Sequence, residues 1–477
     1  MLDIITSKIY STSEKLYASG GDIMLSSVFK PFIEKSPISV MARAMIERAL
    51  NPEQIDEWFE ATAKEQYTRD LLFSSVFGIM SQVVSGRRRS VNAAYQASEE
   101  QIGVSITSVY NKLNGIEAHT SAELVRYASG QLAPIIKELG GIEAPLLIGF
   151  RAKVLDGNCI EASEHRIKEL RGIAAGALPG KSLVVYDPQL ATPIDVYPCE
   201  DGHTQERALL TDVLQSVQPD DLWLGDRNFC VRSFLCGICD RKAYFIIRQH
   251  GNLPWEPLGK QIPRGRTDTG KVFEQPIRVF DEHGNGYEFR RIRVLLNEKT
   301  RDGDNEIFII TSLLKTAANA RTVADLYLKR WTIETSFQQL KKYFNSEINT
   351  LGYPPAALFA FCIGLIAYMI LSVMMAALGT IHGHEKIKKE VSGYYISNEL
   401  SETYPGMMIA IPPEEWKVFL QLSQGEMINF LKRLSKNAKL SKYKKHPRGP
   451  KKPAPKRVSD PKTPHVSTAR LIAGRKK

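Results

Sequence analysis

Tyr327, Arg330, Glu334 and Lys341 are spaced so that a helix, turning about 100° per residue, gathers all four within an arc of about 60°. That row offers one carboxylate, two cations and a phenol. Phosphodiester chemistry asks for such a set: the acid holds a metal and the cations hold phosphates. Leu326, Ile333, Phe337, Leu340 and Phe344 form an apolar face centred about 80° away, so the helix would pack on a core and present the row. Arg330 and Glu334 alone also make an ordinary i,i+4 surface pair, and the rest of the chain must decide between the two readings.

The elements upstream supply partners for the acid. From residue 146 the pattern turns to short apolar runs: Leu146–Phe150, Lys153–Asp156, Ser182–Tyr186 with Thr192–Tyr197 as its hairpin partner, a helix over Gln205–Val217, and Leu222–Asp226. Two of these buried-looking strands finish in carboxylates, Asp156 and Asp226. In α/β sheets, strand ends are where ligand-binding groups gather. With Glu334 they could converge on two divalent ions, for which hard carboxylate oxygens favour Mg2+ or Mn2+. Each aspartate also reads as a simple turn residue, and Asp187 and Asp221 compete for the role. The stretch between Asp226 and Glu334 is far longer than one crossover needs. Tyr244–Arg248, Val272–Phe280, Tyr287–Leu296 and Glu306–Leu313 alternate there, with His283–Gly286 as a hairpin turn, which makes this stretch a β-rich insertion.

Residues 1–145 read as mostly helical, and Val91–Gln101, Gly103 and Ser105–Leu113, after Arg87-Arg88-Arg89, have the form of a helix-turn-helix. Any helical hairpin gives the same pattern. Ala356–Gly379 carries no charge and is long enough to span a bilayer, but a helix buried between a sheet and another domain is equally apolar, and that is the expectation here. The formal net charge of +11 is unevenly placed: residues 432–477 hold +16 and the remainder −5. This Lys/Pro-rich tail reads as disordered and suited to phosphates or an acidic surface. Six scattered cysteines argue for a reducing compartment; Cys236 and Cys239 form a C-x-x-C with no second pair at zinc-finger spacing. The first residues show no apolar run of the signal-peptide kind.

Taken together these residues resemble the DDE transposases of the insertion sequence 4 type. The spacing Y-x2-R-x3-E-x6-K is met by Tyr327, Arg330, Glu334 and Lys341, and Trp331 after the arginine is similar to the family pattern. Leu155-Asp156-Gly157 and Gly225-Asp226-Arg227-Asn228-Phe229 resemble the settings of its two aspartates, and the likeness covers residues 145 to 380. It implies an α/β fold: a ribonuclease H-like mixed sheet core with an inserted β-rich domain, a helical N-terminal domain and a helical C-terminal region ending in the disordered basic tail. The corresponding divisions are 1–145 (DNA-binding), 146–242 and 314–380 (catalytic core), 243–313 (insertion), 381–431 (helical) and 432–477 (tail).

The resemblance implies that Asp156, Asp226 and Glu334 are catalytic and hold two Mg2+ ions, with Mn2+ able to substitute. It implies that Tyr327, Arg330, Trp331 and Lys341 bind DNA. Trp331 and Trp255 become candidates for stacking on an extruded base, Trp255 by its place in the insertion alone, where core packing is the equal alternative. The implied activity is cut-and-paste transposition through a hairpin. Its partners would be double-stranded terminal repeats and target DNA, and the protein a homodimer in the bacterial cytoplasm, associated with the nucleoid and not with a membrane. Two other classes compete: a catalytically silent DNA-binding regulator, and a membrane protein anchored by Ala356–Gly379.

Overall fold

A computed structural model of the chain describes residues 25–66, 68, 70–300, 303–446 and 465–474. Among the described residues, the chain up to Leu139 gives helices, as its periodicity requires. Those that matter below are α1 (Pro37–Leu50), α2 (Phe73–Val84), α3 (Val91–Gln96), α4 (Ile106–Asn114) and α5 (Ala118–Glu138). The expected helix over 91–101 is broken: α3 stops at Gln96 and a further turn, Glu99–Ile102, follows. Gly103 then takes φ +68°, the left-handed conformation that ends a helix at little cost only in glycine. Ser105 caps α4 by accepting from the Ser108 amide. Arg87 is not part of an open basic patch, because its guanidinium stacks on the Tyr404 ring at 4.4 Å.

The strands are β1 (Arg151–Cys159), β2 (Ala177–Leu178), β3 (Lys181–Asp187), β4 (Thr192–Cys199), β5 (Asp221–Gly225), β6 (Tyr244–Arg248), β7 (Glu256–Pro257), β8 (Ile262–Thr267), β9 (Gly270–Phe280), β10 (Gly286–Leu296) and β11 (Glu306–Thr311). All but β2 join one ten-stranded sheet in the order β4-β3-β1-β5-β6-β11-β10-β9-β7, with β8 also on β9. The contacts β1–β5 and β5–β6 are parallel and the rest antiparallel, so the sheet is mixed. Leu146–Phe150 is not a strand but turns and bends that lead into β1.

Two expectations for the β-rich stretch meet a different pairing. Tyr244–Arg248, assigned to the insertion, pairs in parallel with β5 and belongs to the core. The inserted strands form no separate sheet, since β11 returns antiparallel to β6 and extends the same ladder. A two-residue pleat explains why the core is buried on both faces. Val154, Val184, Val196, Leu222, Leu224 and Ile246 meet the helical side, while Leu155, Leu183, Val185, Trp223, Phe245 and Ile247 meet the other.

Three further helices complete the frame: α6 (Ala320–Leu328), α7 (Trp331–Tyr343) and α8 (Pro354–His382). The apolar segment is α8, and most of its surface is buried. It lies between β4 on one side and α1, α2 and α5 on the other, the sandwiched position its all-round apolar surface calls for.

The basic segment does not begin as a tail. Helix α9 (Gln424–Asn437) runs through residue 432 with Leu434 and Ser435 buried. Further along, Val466–Ser467 form β12, parallel to β2, and Thr468–Ala473 form α10. Arg470 Nε donates to Asp201 Oδ2 at 2.7 Å and anchors this piece. The disorder expected for the rest of the tail falls on residues 447–464 and 475–477, outside the described residues.

Candidate active site between two parallel strands

Asp156 does not end β1; the strand continues to Cys159. What ends near it is the parallel pairing with β5, whose last partners are Val154 and Leu224. Carried two residues further, the same register sets Asp156 beside Asp226. Neighbouring strands lie about 4.8 Å apart, so the topology alone brings these acids close. Val154 and Leu224 both face the helical side, and the pleat directs Asp156 and Asp226 there too, because Asp226 keeps an extended backbone (φ −80°, ψ −174°). Asp226 Oδ1 accepts the Asn228 amide at 2.7 Å, which fixes the turn after β5.

The third acid arrives on α7, whose buried Ile333 and Leu340 join the core on the same side of the sheet as Val154 and Leu224. The charged row expected on a single helix stands on two. Between α6 and α7 the chain keeps right-handed helical dihedrals at Lys329 and Arg330. The bonds tighten there to i,i+3 spacing, Arg330 N–H to Tyr327 O at 3.1 Å and Ile333 N–H to Arg330 O at 3.3 Å. This joint puts Arg330 among the carboxylates: its Nη1 lies 3.3 Å from Asp156 Oδ2 and its Nη2 2.9 Å from Glu334 Oε1. The Tyr327 phenol is buried and hydrogen-bonded to the same guanidinium; burial pushes its pKa up while Arg330 pulls it down.

Electrostatics tie the acids together. Burial pushes the Asp156 carboxyl up to about 7; Arg330 pulls it down, and the charges of Asp226 and Glu334 push it up. An unfolded aspartate titrates near 3.8. Between about pH 4 and pH 7 the folded chain therefore keeps a proton that the unfolded chain has lost. The stability this group contributes is full below that window and lost as the pH rises through 7. Asp156→Asn, locked neutral, is expected to match the parent at pH 4 and to exceed it at pH 8 by a few kcal/mol. Denaturant unfolding in metal-free buffer at both pH values checks this, and equal stabilities at pH 8 would refute the buried, charge-crowded setting.

The other sequence candidates are placed unequally. Lys341, two turns along α7 from Glu334, does not touch the three acids. Its Nζ lies 3.0 Å from Glu347 Oε1 and 3.2 Å from Glu161 Oε1. Glu347 in turn accepts from Asn158 Nδ2 at 3.3 Å, so the lysine marks the far end of β1. Trp331 opens α7 with 55% of its surface exposed, and Arg330 lies 5.0 Å from its ring centroid. Trp255 is half-buried under the Arg291 guanidinium at 4.8 Å and packs on the opposite core cluster. Cys236 and Cys239 are free thiols, and their helix lies on that opposite face.

Sequence reasoning missed Glu206. A Cβ on residue 157 would overlap its carboxylate, so Glu206 lies against the glycine that follows Asp156. Asn228 Nδ2 donates to its Oε2 at 3.3 Å. Nothing in the spacing of residues 156, 206 and 226 announces this; only the packing of the Glu206–Leu209 turn onto the β5 turn does.

The donors are hard, anionic oxygens that suit a divalent cation, and their crowding leaves Asp156 short of positive charge. Among the described residues no three acids stand close enough to enclose an ion by themselves. The Arg330 guanidinium is bonded to two of them instead.

The family model described as the transposase DDE domain matches residues 151–370. A curated relative from Geobacillus stearothermophilus, described as a probable transposase for insertion sequence element IS5377, is 23% identical over 199 residues. That match takes in 40% of this chain and 48% of the relative, so the chain spans about half the length of that relative. Among solved structures, the piggyBac transposase synaptic complex with hairpin DNA aligns over 81% of this chain and 82% of its own, with 10% identity and a TM-score of 0.35.

Proposed function

We propose, because residues 151–370 match the family model of the transposase DDE domain, that this chain cuts and rejoins DNA at the ends of an insertion sequence, and that it is of the insertion sequence 4 type. One observation carries the reading: Asp156 and Asp226 follow the last paired residues of two adjacent parallel strands, and Arg330 links Asp156 to Glu334. On this reading the strands β4-β3-β1-β5-β6 are a ribonuclease H-like core, and the strands from β7 to β10 are its insertion.

Asp156, Asp226 and Glu334 would hold divalent ions, Mg2+ with Mn2+ as substitute and two per site. When bound, such ions activate the attacking oxygen and stabilise the leaving one. The chain's own residues do the rest. Arg330, with its planar fork, is placed to exchange a carboxylate for a phosphate oxygen next to the scissile bond. Tyr327 holds that guanidinium in place, and Lys341 contributes a point charge to the backbone further along. Trp331, exposed beside the acids, offers a ring face to an unstacked base.

In the proposed sequence, water attacks phosphorus and the bond to the 3′ oxygen breaks, leaving a 3′-hydroxyl and a 5′-phosphate. The 3′-hydroxyl attacks the opposite strand and closes a hairpin. Water opens it, and the freed 3′-hydroxyl attacks target DNA. The helical domain with α3 and α4 would hold the terminal repeats, two copies of the chain would pair two ends, and the work would take place in the bacterial cytoplasm.

The test uses the full chain, Mg2+ and a duplex that carries the element's terminal repeat next to flanking DNA. A nick at the element end, followed by a fragment that runs at twice its strand length under denaturing conditions, is the expected result. Binding without any break would leave the protein a silent DNA-binding regulator and overturn the proposal.

A further inference from the structure

Besides the acid Glu334, α7 presents a second line of side chains. Trp331, Thr335, Gln338 and Lys342 are spaced by four, three and four residues. On a helix they fall within an arc of about 60°, roughly 70° round from Glu334. All four are exposed, and the line carries no acid. It runs for about 16 Å, close to the rise of about five base pairs of duplex DNA.

At Lys342 the line meets a cationic ridge. The Lys342 Nζ lies 5.1 Å from the centroid of the Tyr394 ring. Tyr394 and Tyr395 are 5.4 Å apart, and Tyr395 is 5.7 Å from the His446 ring. Backbone bonds join the two segments of the ridge: Ser392 N–H donates to Tyr443 O at 2.7 Å, and Lys445 N–H to Glu390 O at 2.6 Å. Residues 384–395 and 439–446 hold seven lysines against two glutamates, Glu385 and Glu390, whereas residues 1–431 as a whole net −5. Lys388 and Lys442 are paired, with Glu143 at 2.9 Å and Glu399 at 3.9 Å. Lys342, Lys389 and Lys444 are exposed and, among the described residues, have no carboxylate partner. Burial pulls the Lys445 ammonium below its ordinary range, and no acid opposes that shift. Spare cations set among phenols, beside the helix that carries Glu334, complement a polyanion: lysine and tyrosine are both donors to phosphate oxygens.

We propose that the exposed line of α7 and the ridge of residues 388–395 and 442–446 form one surface that grips the phosphate backbone of duplex DNA beside the cutting site, without reading its sequence. Lys342, Lys389 and Lys444 supply point charges to successive phosphates, and Gln338 and Tyr394 supply neutral donors between them. This inference rests on the transposase reading. It goes beyond that reading in naming a DNA surface outside both the acid crevice and the helical N-terminal domain. Each phosphate neutralised by a lysine adds about 0.9 to the slope with which log affinity falls against log salt.

The test titrates the full chain against a duplex that carries no terminal repeat, over about 50 to 200 mM salt. A triple variant, Lys342→Gln with Lys389→Gln and Lys444→Gln, is expected to flatten the salt slope by about two to three, with the thermal midpoint unchanged. A second triple variant removes the same charge from exposed positions elsewhere, Lys260→Gln with Lys271→Gln and Lys299→Gln. It is expected to change the slope by less than about one. If the ridge variant keeps the parent's slope, its lysines are only a solvated face and the inference fails while the transposase reading stands. Equal flattening in both variants would trace the effect to net charge and overturn the inference in the same way. If the parent binds no duplex at all, both fail together.

Discussion

Glu334→Gln is expected to lower the rate of strand cleavage by about 10³-fold or more while end binding stays within about twofold. A metal-held carboxylate contributes several kcal/mol to the transition state, and each step of about 1.4 kcal/mol is a factor of ten. The amide changes little else. Its oxygen can still accept from Arg330 Nη2, now 2.9 Å from Glu334 Oε1, and the side chain is a third exposed, so the start of α7 has no reason to repack. Single-turnover cleavage of a terminal-repeat duplex, beside a gel-shift titration of the same DNA, measures both quantities. Cleavage within tenfold of the parent would remove Glu334 from the site. Loss of binding in parallel would show that the change had disturbed the fold of α7 and not the chemistry.

The second large effect lies beneath the site. Lys153 on β1 and Asp221 on β5 form an ion pair of 2.6 Å, and both are almost wholly buried. The lysine also sits 5.1 Å from the centroid of the Trp223 ring, and the second partner of Asp221 Oδ2 is the Gln218 amide at 2.8 Å. This pair ties together β1, which carries Asp156 further along, and β5, which Asp226 follows. Lys153→Met strands a carboxylate in the core and is expected to cost about 3–5 kcal/mol. Adding Asp221→Asn, which keeps an acceptor for Gln218, is expected to recover more than half of that. Denaturant unfolding of the single and double variants gives the comparison. A single-variant loss below about 1 kcal/mol would mean that water reaches the pair, contrary to its burial.

How much of this could be read beforehand depends on how local each signal is. Tyr327, Arg330, Glu334 and Lys341 stand within one short stretch of chain, so spacing alone ordered them. Asp156 and Asp226 were legible because each follows a short apolar run. Their register was not, since the offset between β1 and β5 is set by packing over both faces of the sheet and by the Lys153–Asp221 clamp. The joint at Arg330 escaped because both sides of it have good helical periodicity; only the bonds of Asp156 and Glu334 to the guanidinium accompany the tighter turn. Glu206 escaped for a related reason: its partners are a glycine backbone and an asparagine amide far away in sequence. The basic segment misled by composition. Leu434 and Leu431 are buried on α9, yet the surrounding lysines dominate any average, and Val466 finds its strand partner, Ala177, in a distant part of the chain.

Helix α8 bears on how the molecule is made. Its partners α1, α2 and α5 and strand β4 are synthesised before it, at rates of about 5–20 residues per second that let earlier segments fold first, whereas α9, which also packs on it, follows. When residues 354–382 leave the ribosome, the surfaces of α5, α1, α2 and β4 that cover much of the helix have already been made. That order matters for a segment that meets the length and hydropathy of a bilayer span. Damage to the N-terminal helices therefore acts twice: it harms the region itself, and it leaves a later, intact helix uncovered for lipid or for other nascent chains.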